Sequence, residues 1–280
     1  MLNKDITIII NTFNSDEKIF SCLDTIEGTF KILVIENSNN SNFKKRIENE
    51  YSNVTCELTK DNLGYAKGNN LGLSKVTTKF ALVLNPDTLV QKDALQNFLK
   101  TATNKPDFTI IGPAIQEKVD QNKYTNVSDL IEVKNVKGFA MFLNIKQFND
   151  IGFFDDNFFI YFEEIDLCRR VRLCNKKIYL DPTIIINHAG GSSHNKSIDI
   201  EMELSRNWHW MWSTFYYHKK YDGFTMALIK TFRKLISSSL KYIFFSILNK
   251  KAKKQIYFQR MSGLFNAIIG KKSWYRPKVF

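Results

Sequence analysis

A continuous run of β-branched residues near the start of the chain limits its fold more than any other feature. Ile6–Ile10 (ITIII) does not alternate with polar residues, which is typical of a strand buried on both faces of a parallel sheet. Further strands are predicted at Ile32–Ile35, Val54–Leu58 and Lys79–Leu84, with helical patterns between them. Strands that alternate with helices form βαβ units, so this part of the chain is predicted to be an α/β domain with a mostly parallel sheet.

Other local signals refine this prediction. Ser15 is expected to cap the first helix, and a polar helix is predicted over 42–51. Val136–Leu143 (VKGFAMFL) is predicted to be a further strand. Asp87 follows a proline that ends a strand, and one interpretation is that it caps a helix over 88–100.

Polar side chains follow the predicted strands, at the edge where an α/β sheet usually binds its ligand. Thr12 and Asn14 come after the first strand, and Glu36 and Asn37 come after the second. A carboxylate such as Glu36 can accept a hydrogen bond from the ring N–H of uracil or thymine. The glycine- and asparagine-rich loop Asp61–Ser74 lacks the spacings of a dinucleotide site and of a P-loop. Each of these positions is also compatible with an ordinary turn.

A carboxylate and a histidine stand at two other strand ends. Asp87 follows one predicted strand, and His188 follows the apolar strand Thr183–Asn187. Mg²⁺ and Mn²⁺ need few protein ligands when a diphosphate and water complete their coordination. Asp87 is therefore a candidate metal ligand, and His188 is a candidate second ligand.

A cluster of acids opens a predicted helix within the stretch 158–194. Glu163, Glu164 and Asp166 lie within four residues of one another. Clustered carboxylates raise one another's pKa, which suits a carboxylate that acts as a general base near neutral pH. On these residues alone, any of the three is a candidate base.

Seven segments of the chain resemble a known family and occur in the same order. They are IIINTFNS, ILVIENS, NLGYAKGNNLG, LNPDT, VKGFAMFL, IGFFDDNFFIYFEEIDLCRRV and NHAGGSSH. Together they resemble the inverting glycosyltransferases of family 2, and within them the rhamnosyltransferase-like branch of bacterial surface-polysaccharide synthesis. The resemblance covers roughly residues 1–195. It implies a GT-A fold, an α/β/α sandwich, that moves rhamnose or a hexose from a nucleoside diphosphate sugar to a saccharide or lipid-linked hydroxyl.

The resemblance assigns roles residue by residue. The donor, a dTDP- or UDP-sugar, would contact Thr12, Asn14, Glu36, Asn37, Asn62, Gly64, Asn69, Asn85 and Asp87. Asp87 occupies the last position of the family's DXD motif and, with His188, would bind Mn²⁺ or Mg²⁺. The first position of that motif is Asn85 here, so one of its carboxylates is missing. The donor sugar and the acceptor would be lined by Gly138, Phe139, Asp155, Asp156 and Glu163.

The resemblance also implies a catalytic base. Glu164 stands where the family usually has an aspartate, and the chain reads Glu-Glu-Ile-Asp in place of Glu-Asp-Val-Asp. Glu164 would deprotonate the acceptor hydroxyl during a single in-line displacement that inverts the anomeric carbon. Glu163 and Asp166 remain alternatives.

The region after the resemblance differs in charge. The net charge is +12, and this excess lies in 223–280, which contains 13 Lys or Arg and no Asp or Glu. The aromatic segment 198–221 and the basic amphipathic pattern of Ile229, Phe232, Leu235, Ile236 and Leu240 predict helices suited to an anionic membrane surface. We expect a catalytic domain over 1–196 and a helical, basic region over 197–280.

Compartment signals favour a cytoplasmic protein on the inner face of the plasma membrane. The first residues do not form a signal-peptide pattern, and Leu235–Leu248 is too short and too polar to span a bilayer. The four cysteines form no CxxC pair and are predicted to be reduced.

Other classes of protein fit less well. A nucleic-acid-binding protein would place its excess positive charge on the body of the chain, whereas here the excess of basic over acidic residues lies in 223–280. A catalytically dead sugar-nucleotide-binding protein is suggested by Asn85 and by the glutamate at 164. A nucleotidyltransferase is a weaker enzymatic alternative.

Overall fold

A mixed sheet organises the first part of the chain. The computed structural model describes residues 3–114, 130–188 and 198–278. The strands are β1 (Asn3–Thr12), β2 (Phe30–Glu36), β3 (Val54–Leu58), β4 (Phe80–Leu84), β5 (Thr88–Val90), β6 (Phe108–Ala114), β7 (Ile131–Glu132), β8 (Ala140–Asn144) and β9 (Lys177–His188). Among the described residues they form one sheet in the order β3-β2-β1-β4-β8-β6-β9-β5, with β7 paired to β9.

The opening apolar run lies where its pattern predicts. β1 pairs in parallel with β2 on one side and with β4 on the other. Ile6, Ile8, Ile9 and Ile10 are completely buried because β1 is covered on both faces. β8 then runs antiparallel between β4 and β6. The predicted α/β fold is confirmed.

Helices alternate with these strands along the chain, and three more described helices follow the last strand. They are α1 (Asp16–Leu23), α2 (Ser41–Glu50), α3 (Gly64–Leu73), α4 (Ala94–Asn104), α5 (Glu163–Leu173), α6 (Asp199–Asp222), α7 (Phe224–Ile247) and α8 (Lys251–Ile268). A short 3-10 turn covers Ile145–Phe148. No described helix is both long enough and apolar enough to cross a membrane.

One local prediction is wrong, and two are confirmed only in part. Asp87 does not cap a helix, because Thr88–Val90 pairs with β9 as a strand and α4 begins only at Ala94. The strand predicted over Val136–Leu143 is present as β8, but it covers Ala140–Asn144 because Gly138 and Phe139 form a turn. Ser15 stands at the cap position of α1, but its hydroxyl donates to the Phe13 carbonyl instead of capping the helix.

The chain divides into two compact units. The first contains Met1–Leu63, Lys67–Phe154 and Glu164–Asn195, and therefore holds the sheet. The second contains Gly64–Ala66, Asp155–Glu163 and Lys196–Phe280. The predicted domain boundary between 196 and 197 lies outside the described residues, as do residues 189–194 of the segment NHAGGSSH.

The second unit has its own apolar core. Trp208, Met211, Trp212 and Phe215 of α6 pack with residues of α7 and α8. Gly263 of α8 permits this packing, since a Cβ there would collide with the backbone at Trp208.

Candidate active site

Two strand ends bring Asp87 and His188 together. The His188 Nε2 lies 3.2 Å from the Asp87 Oδ1, and the Asn85 amide nitrogen lies 3.3 Å from the same imidazole nitrogen. The pairing of Thr88 with His188 between β5 and β9 sets this arrangement. The predicted grouping of Asn85, Asp87 and His188 is therefore present in the first unit.

An aromatic ring and backbone contacts fix the histidine and the loop. Phe139 stacks on His188, with ring centroids 4.8 Å apart and an interplanar angle of 14°. The Asn85 N–H donates to the Phe139 carbonyl at 2.8 Å, and the Thr88 hydroxyl donates to the Asn85 carbonyl at 2.8 Å. Phe139, predicted as a wall for sugar, thus orients His188. Gly138 lies in the turn just before it.

The chemistry of this group suits a divalent cation. The Asp87 side chain is 1% exposed, and its Oδ1 has no hydrogen-bond partner among the described residues. A buried carboxylate oxygen in that condition is costly unless a ligand satisfies it. Nowhere in the described residues do three or more His, Cys, Asp or Glu side chains come together as a metal site. One carboxylate and one imidazole fit a cation whose other ligands are diphosphate oxygens and water.

Glu36 holds the loop after β2. Its Oε1 accepts from the backbone N–H of Ser38 at 2.9 Å and from the Ser38 hydroxyl, and its Oε2 accepts from the Asn40 N–H at 2.8 Å. The residue is 2% exposed. Glu36 is thus held in one orientation by the loop that follows it.

Asn37 links three segments of the first unit. Its side-chain Nδ2 donates to the Asn11 side-chain Oδ1, and its Oδ1 accepts from the Thr59 hydroxyl at 3.2 Å and from the Leu63 N–H at 3.1 Å. Gly68 of α3 lies against the Asn11 amide, where a Cβ would collide. Asn11 is not among the predicted site residues, although it lies within IIINTFNS, the first segment that resembles the family.

The remaining predicted donor residues lie at or just after the end of β1, or in α3 and the loop before it. The Thr12 Oγ1 and the Asn14 Nδ2 are buried and have no hydrogen-bond partner within the described part of the chain. Asn14 adopts a left-handed backbone with φ 49°. Asn69 is fully buried in α3, and Asn62 precedes that helix.

Glu164 is the second residue of α5, and its carboxylate is poorly solvated. Burial raises its pKa, against the opposing effects of the backbone N–H groups of Glu164 and Ile165 and of the Lys137 charge. Its Oε2 is buried without a hydrogen-bond partner among the described residues. A carboxylate in this state binds a proton more tightly than an exposed one.

Asp166 is held differently from Glu164. It is fully buried and accepts from the Arg170 Nε at 2.8 Å. Arg170 also donates to the carbonyls of Ile151 at 2.8 Å, Gly152 at 3.2 Å and Phe153. Arg170, held by Asp166, thus anchors α5 to the preceding loop, and Arg170 is not among the predicted site residues.

The other predicted residues belong to the second unit. Asp155 accepts from the Lys220 Nζ at 2.7 Å, from the Tyr216 hydroxyl at 3.1 Å and from Asn157. Burial alone would raise its pKa, but these hydrogen bonds and the Lys220 charge outweigh that effect and lower it. Asp156 is next in the chain, and Glu163 is 5% exposed. Gly64 has φ 77°, and a Cβ there would collide with Phe159.

Comparison with known proteins gives a family match. The model described as Glycosyl transferase family 2 matches residues 7–178. The hexosyltransferase Agl10 of low-salt glycan biosynthesis from Haloferax volcanii is 27% identical over 198 residues, which cover 62% of this chain and 64% of that protein. The rhamnosyltransferase WbbL from Escherichia coli is 24% identical over 247 residues, covering 75% of this chain and 90% of that one.

A solved structure shares the architecture. The mannosyltransferase PcManGT from Pyrobaculum calidifontis, in complex with GDP-Man and Mn²⁺, aligns with a TM-score of 0.60 at 13% identity. The alignment covers 97% of this chain and 90% of that one. At this identity the likeness concerns the fold.

Proposed function

The chain belongs to glycosyl transferase family 2 and has the GT-A fold, and we propose that it moves rhamnose or a hexose from a nucleoside diphosphate to an acceptor hydroxyl with inversion. The acceptor would be a saccharide or a lipid-linked saccharide of a bacterial surface polysaccharide. The observation that carries the proposal is the buried Asp87 oxygen, which has no hydrogen-bond partner among the described residues and faces His188 at 3.2 Å. The hexosyltransferase and rhamnosyltransferase relatives support the same class of reaction.

The donor nucleotide would bind at the ends of β1 and β2. The Thr12 hydroxyl and the Asn14 amide are buried polar groups that a base or ribose can satisfy. A carboxylate oxygen can accept two hydrogen bonds, and the Glu36 Oε2 accepts one from Asn40. Its second position is available to the ring N–H of uracil or thymine, so a UDP- or dTDP-sugar is the proposed donor.

Asp87 and His188 would hold a Mn²⁺ or Mg²⁺ ion, with Phe139 keeping the imidazole in place. When bound, such an ion stabilises negative charge on a diphosphate. Asn85 adds an amide instead of a second carboxylate, so the donor's own diphosphate would supply much of the cation's coordination.

Glu164 would act as the general base. Its carboxylate takes the proton of the acceptor hydroxyl while that oxygen forms a bond to the anomeric carbon. The bond from the anomeric carbon to the diphosphate breaks on the opposite side, and its electron pair leaves with the nucleoside diphosphate. Burial makes Glu164 a stronger base, whereas the ion pair with Arg170 suits Asp166 to anchoring α5.

The basic tail, residues 223–280, would bind the enzyme to a membrane surface. Phe232 and Leu240 of α7 are 59% and 62% exposed; Arg233 and Lys234 lie between them, and Lys241 follows Leu240. Leu235, predicted to share this apolar face, packs instead against the core of the second unit. An exposed apolar face without any acid nearby in sequence suits an anionic lipid surface, so we propose peripheral association with the cytoplasmic leaflet.

A donor screen tests the proposal. UDP-, dTDP- and GDP-sugars are incubated with the protein and Mn²⁺, and thermal shift and nucleoside diphosphate release are measured. We expect one donor to stabilise the protein and to be turned over, and Asp87→Asn to lose both effects. Binding without turnover, with any acceptor tried, would favour the dead sugar-nucleotide binder instead.

A further inference from the structure

The segment 155–163 of the second unit is held along its length by one helix. From α6, the Tyr216 hydroxyl donates to Asp155 at 3.1 Å, and the Ser213 hydroxyl donates to the Ile160 carbonyl at 3.0 Å. His209 stacks on Phe159 with ring centroids 4.4 Å apart. These contacts tie α6 to the residues that lead into the acids of α5.

The last two residues of that segment before the acids have an unfavourable backbone. Tyr161 and Phe162 have φ values of 71° and 70°, in the left-handed region. Bulky aromatic residues rarely adopt this conformation, and two in succession persist only where surrounding contacts impose it. Glu163 and Glu164 follow directly in the chain.

Aromatic rings of α6 supply those contacts. Trp210 meets Tyr161 edge-on at a centroid distance of 5.4 Å and also contacts Phe162 at 5.5 Å. Tyr217 contacts Phe162 at 5.3 Å. Trp210 is 38% exposed, unlike Trp208 and Trp212 of the same helix, which belong to the core. The Trp210 ring thus contacts both residues of the turn, and the Lys234 Nζ lies 5.6 Å from its centroid.

We propose that Trp210 is a positioning residue for sugar transfer: it holds Tyr161 and Phe162 in the left-handed turn from which Glu164 enters α5. The inference rests on the proposed role of Glu164 as base. It gives the aromatic helix α6 a part in catalysis without any contact between Trp210 and substrate.

The test compares Trp210→Ala with two other variants. Trp210→Phe keeps a ring against the turn, and Ile200→Ala removes an exposed apolar side chain from α6, where Ile200 is 64% exposed. With the donor selected by the screen, Trp210→Ala is expected to lower kcat at least about tenfold and to leave KM for the donor unchanged, because a misplaced base slows chemistry. Trp210→Phe is expected to retain most activity, and Ile200→Ala all of it.

A second substitution asks whether the backbone conformation is the cause. Asparagine tolerates left-handed φ far better than tyrosine. Tyr161→Asn added to Trp210→Ala should therefore restore part of kcat. A wild-type kcat for Trp210→Ala, a loss confined to KM for the acceptor, or no recovery in the double variant would overturn the proposal.

Hydrogen exchange separates this inference from the proposed function. Trp210→Ala should speed exchange of the amides of 161–164 and leave those of β1 unchanged, whether or not a donor has been found. Unchanged exchange at 161–164 would overturn the inference alone. A wild-type chain that turns over no donor would overturn the proposed function alone.

Discussion

His188 and Asp87 lie 3.2 Å apart because β5 and β9 pair in register immediately beside them. Asp87 comes from the loop after β4, whereas His188 is the last residue of β9. One buried carboxylate oxygen and one imidazole nitrogen thus face each other at the end of the sheet where a family 2 enzyme is proposed to hold its donor.

The pH dependence of transfer should reflect the burial of Glu164. A general base works when ionised, so kcat/KM should fall as pH decreases through its raised pKa, above the value of about 4.3 for free glutamate. Lys137 lowers that pKa by its charge. Lys137→Met should therefore move the acid limb of the kcat/KM profile to higher pH. A limb that stays in place or moves to lower pH would contradict this assignment.

Asp166→Asn should destabilise the protein, because it removes the ion pair with Arg170. Asp166 is fully buried, and its removal leaves Arg170 without its charge partner in that pair. Loss of one member of a buried pair costs about 3–5 kcal/mol, and the lower end applies since Arg170 is partly exposed and keeps its carbonyl contacts. Urea unfolding measures the change. A loss below about 1 kcal/mol would place Asp166 outside the anchoring role.

Gly68→Ala should weaken donor binding through Asn11. The added Cβ would collide with the Asn11 amide, which accepts from Asn37. Gly28→Ala is the matched control, because a Cβ there meets nothing within 4 Å. Calorimetric titration with the donor should show a weaker affinity only for Gly68→Ala. Equal affinities for the two variants would argue against a role of this asparagine pair at the donor site.

Vesicle binding should depend on both the exposed face of α7 and lipid charge. The protein should co-sediment with phosphatidylglycerol vesicles and should stay in the supernatant with pure phosphatidylcholine vesicles. The double substitution Phe232→Ser and Leu240→Ser should release it, whereas Ile200→Ser on α6 should not. High salt should weaken binding. Equal binding to both kinds of vesicle would contradict an electrostatic contribution from the tail.

Much of the fold follows from local patterns in the sequence. The β-branched run of β1 predicts a doubly buried strand because only a central parallel position covers both faces. The polar residues after β1 and β2 are predicted together since the carboxyl ends of parallel strands share one edge. Thr12 and Glu36 are in fact register partners.

The parts that could not be predicted are those imposed by distant contacts. Tyr161 and Phe162 have no intrinsic preference for left-handed backbone, and the rings of α6 that contact them are distant in sequence. The local sequence at Asp87 is compatible with a helix cap, because the pairing of Thr88 with His188 depends on a strand about 100 residues away. Leu235 follows the same helical spacing as its exposed neighbours, and only the packing of α7 shows that it faces inward.

The central claim is that Glu164 deprotonates the acceptor, and a comparison of Glu164→Gln with Glu163→Gln tests it most directly. With the selected donor, its acceptor and Mn²⁺, Glu164→Gln should lower kcat by about 10²–10⁴-fold and leave the donor's Kd unchanged, because the amide keeps the shape but cannot take a proton. Glu163→Gln should stay close to wild type. Near-normal turnover by Glu164→Gln, or an equal loss in Glu163→Gln, would contradict the account.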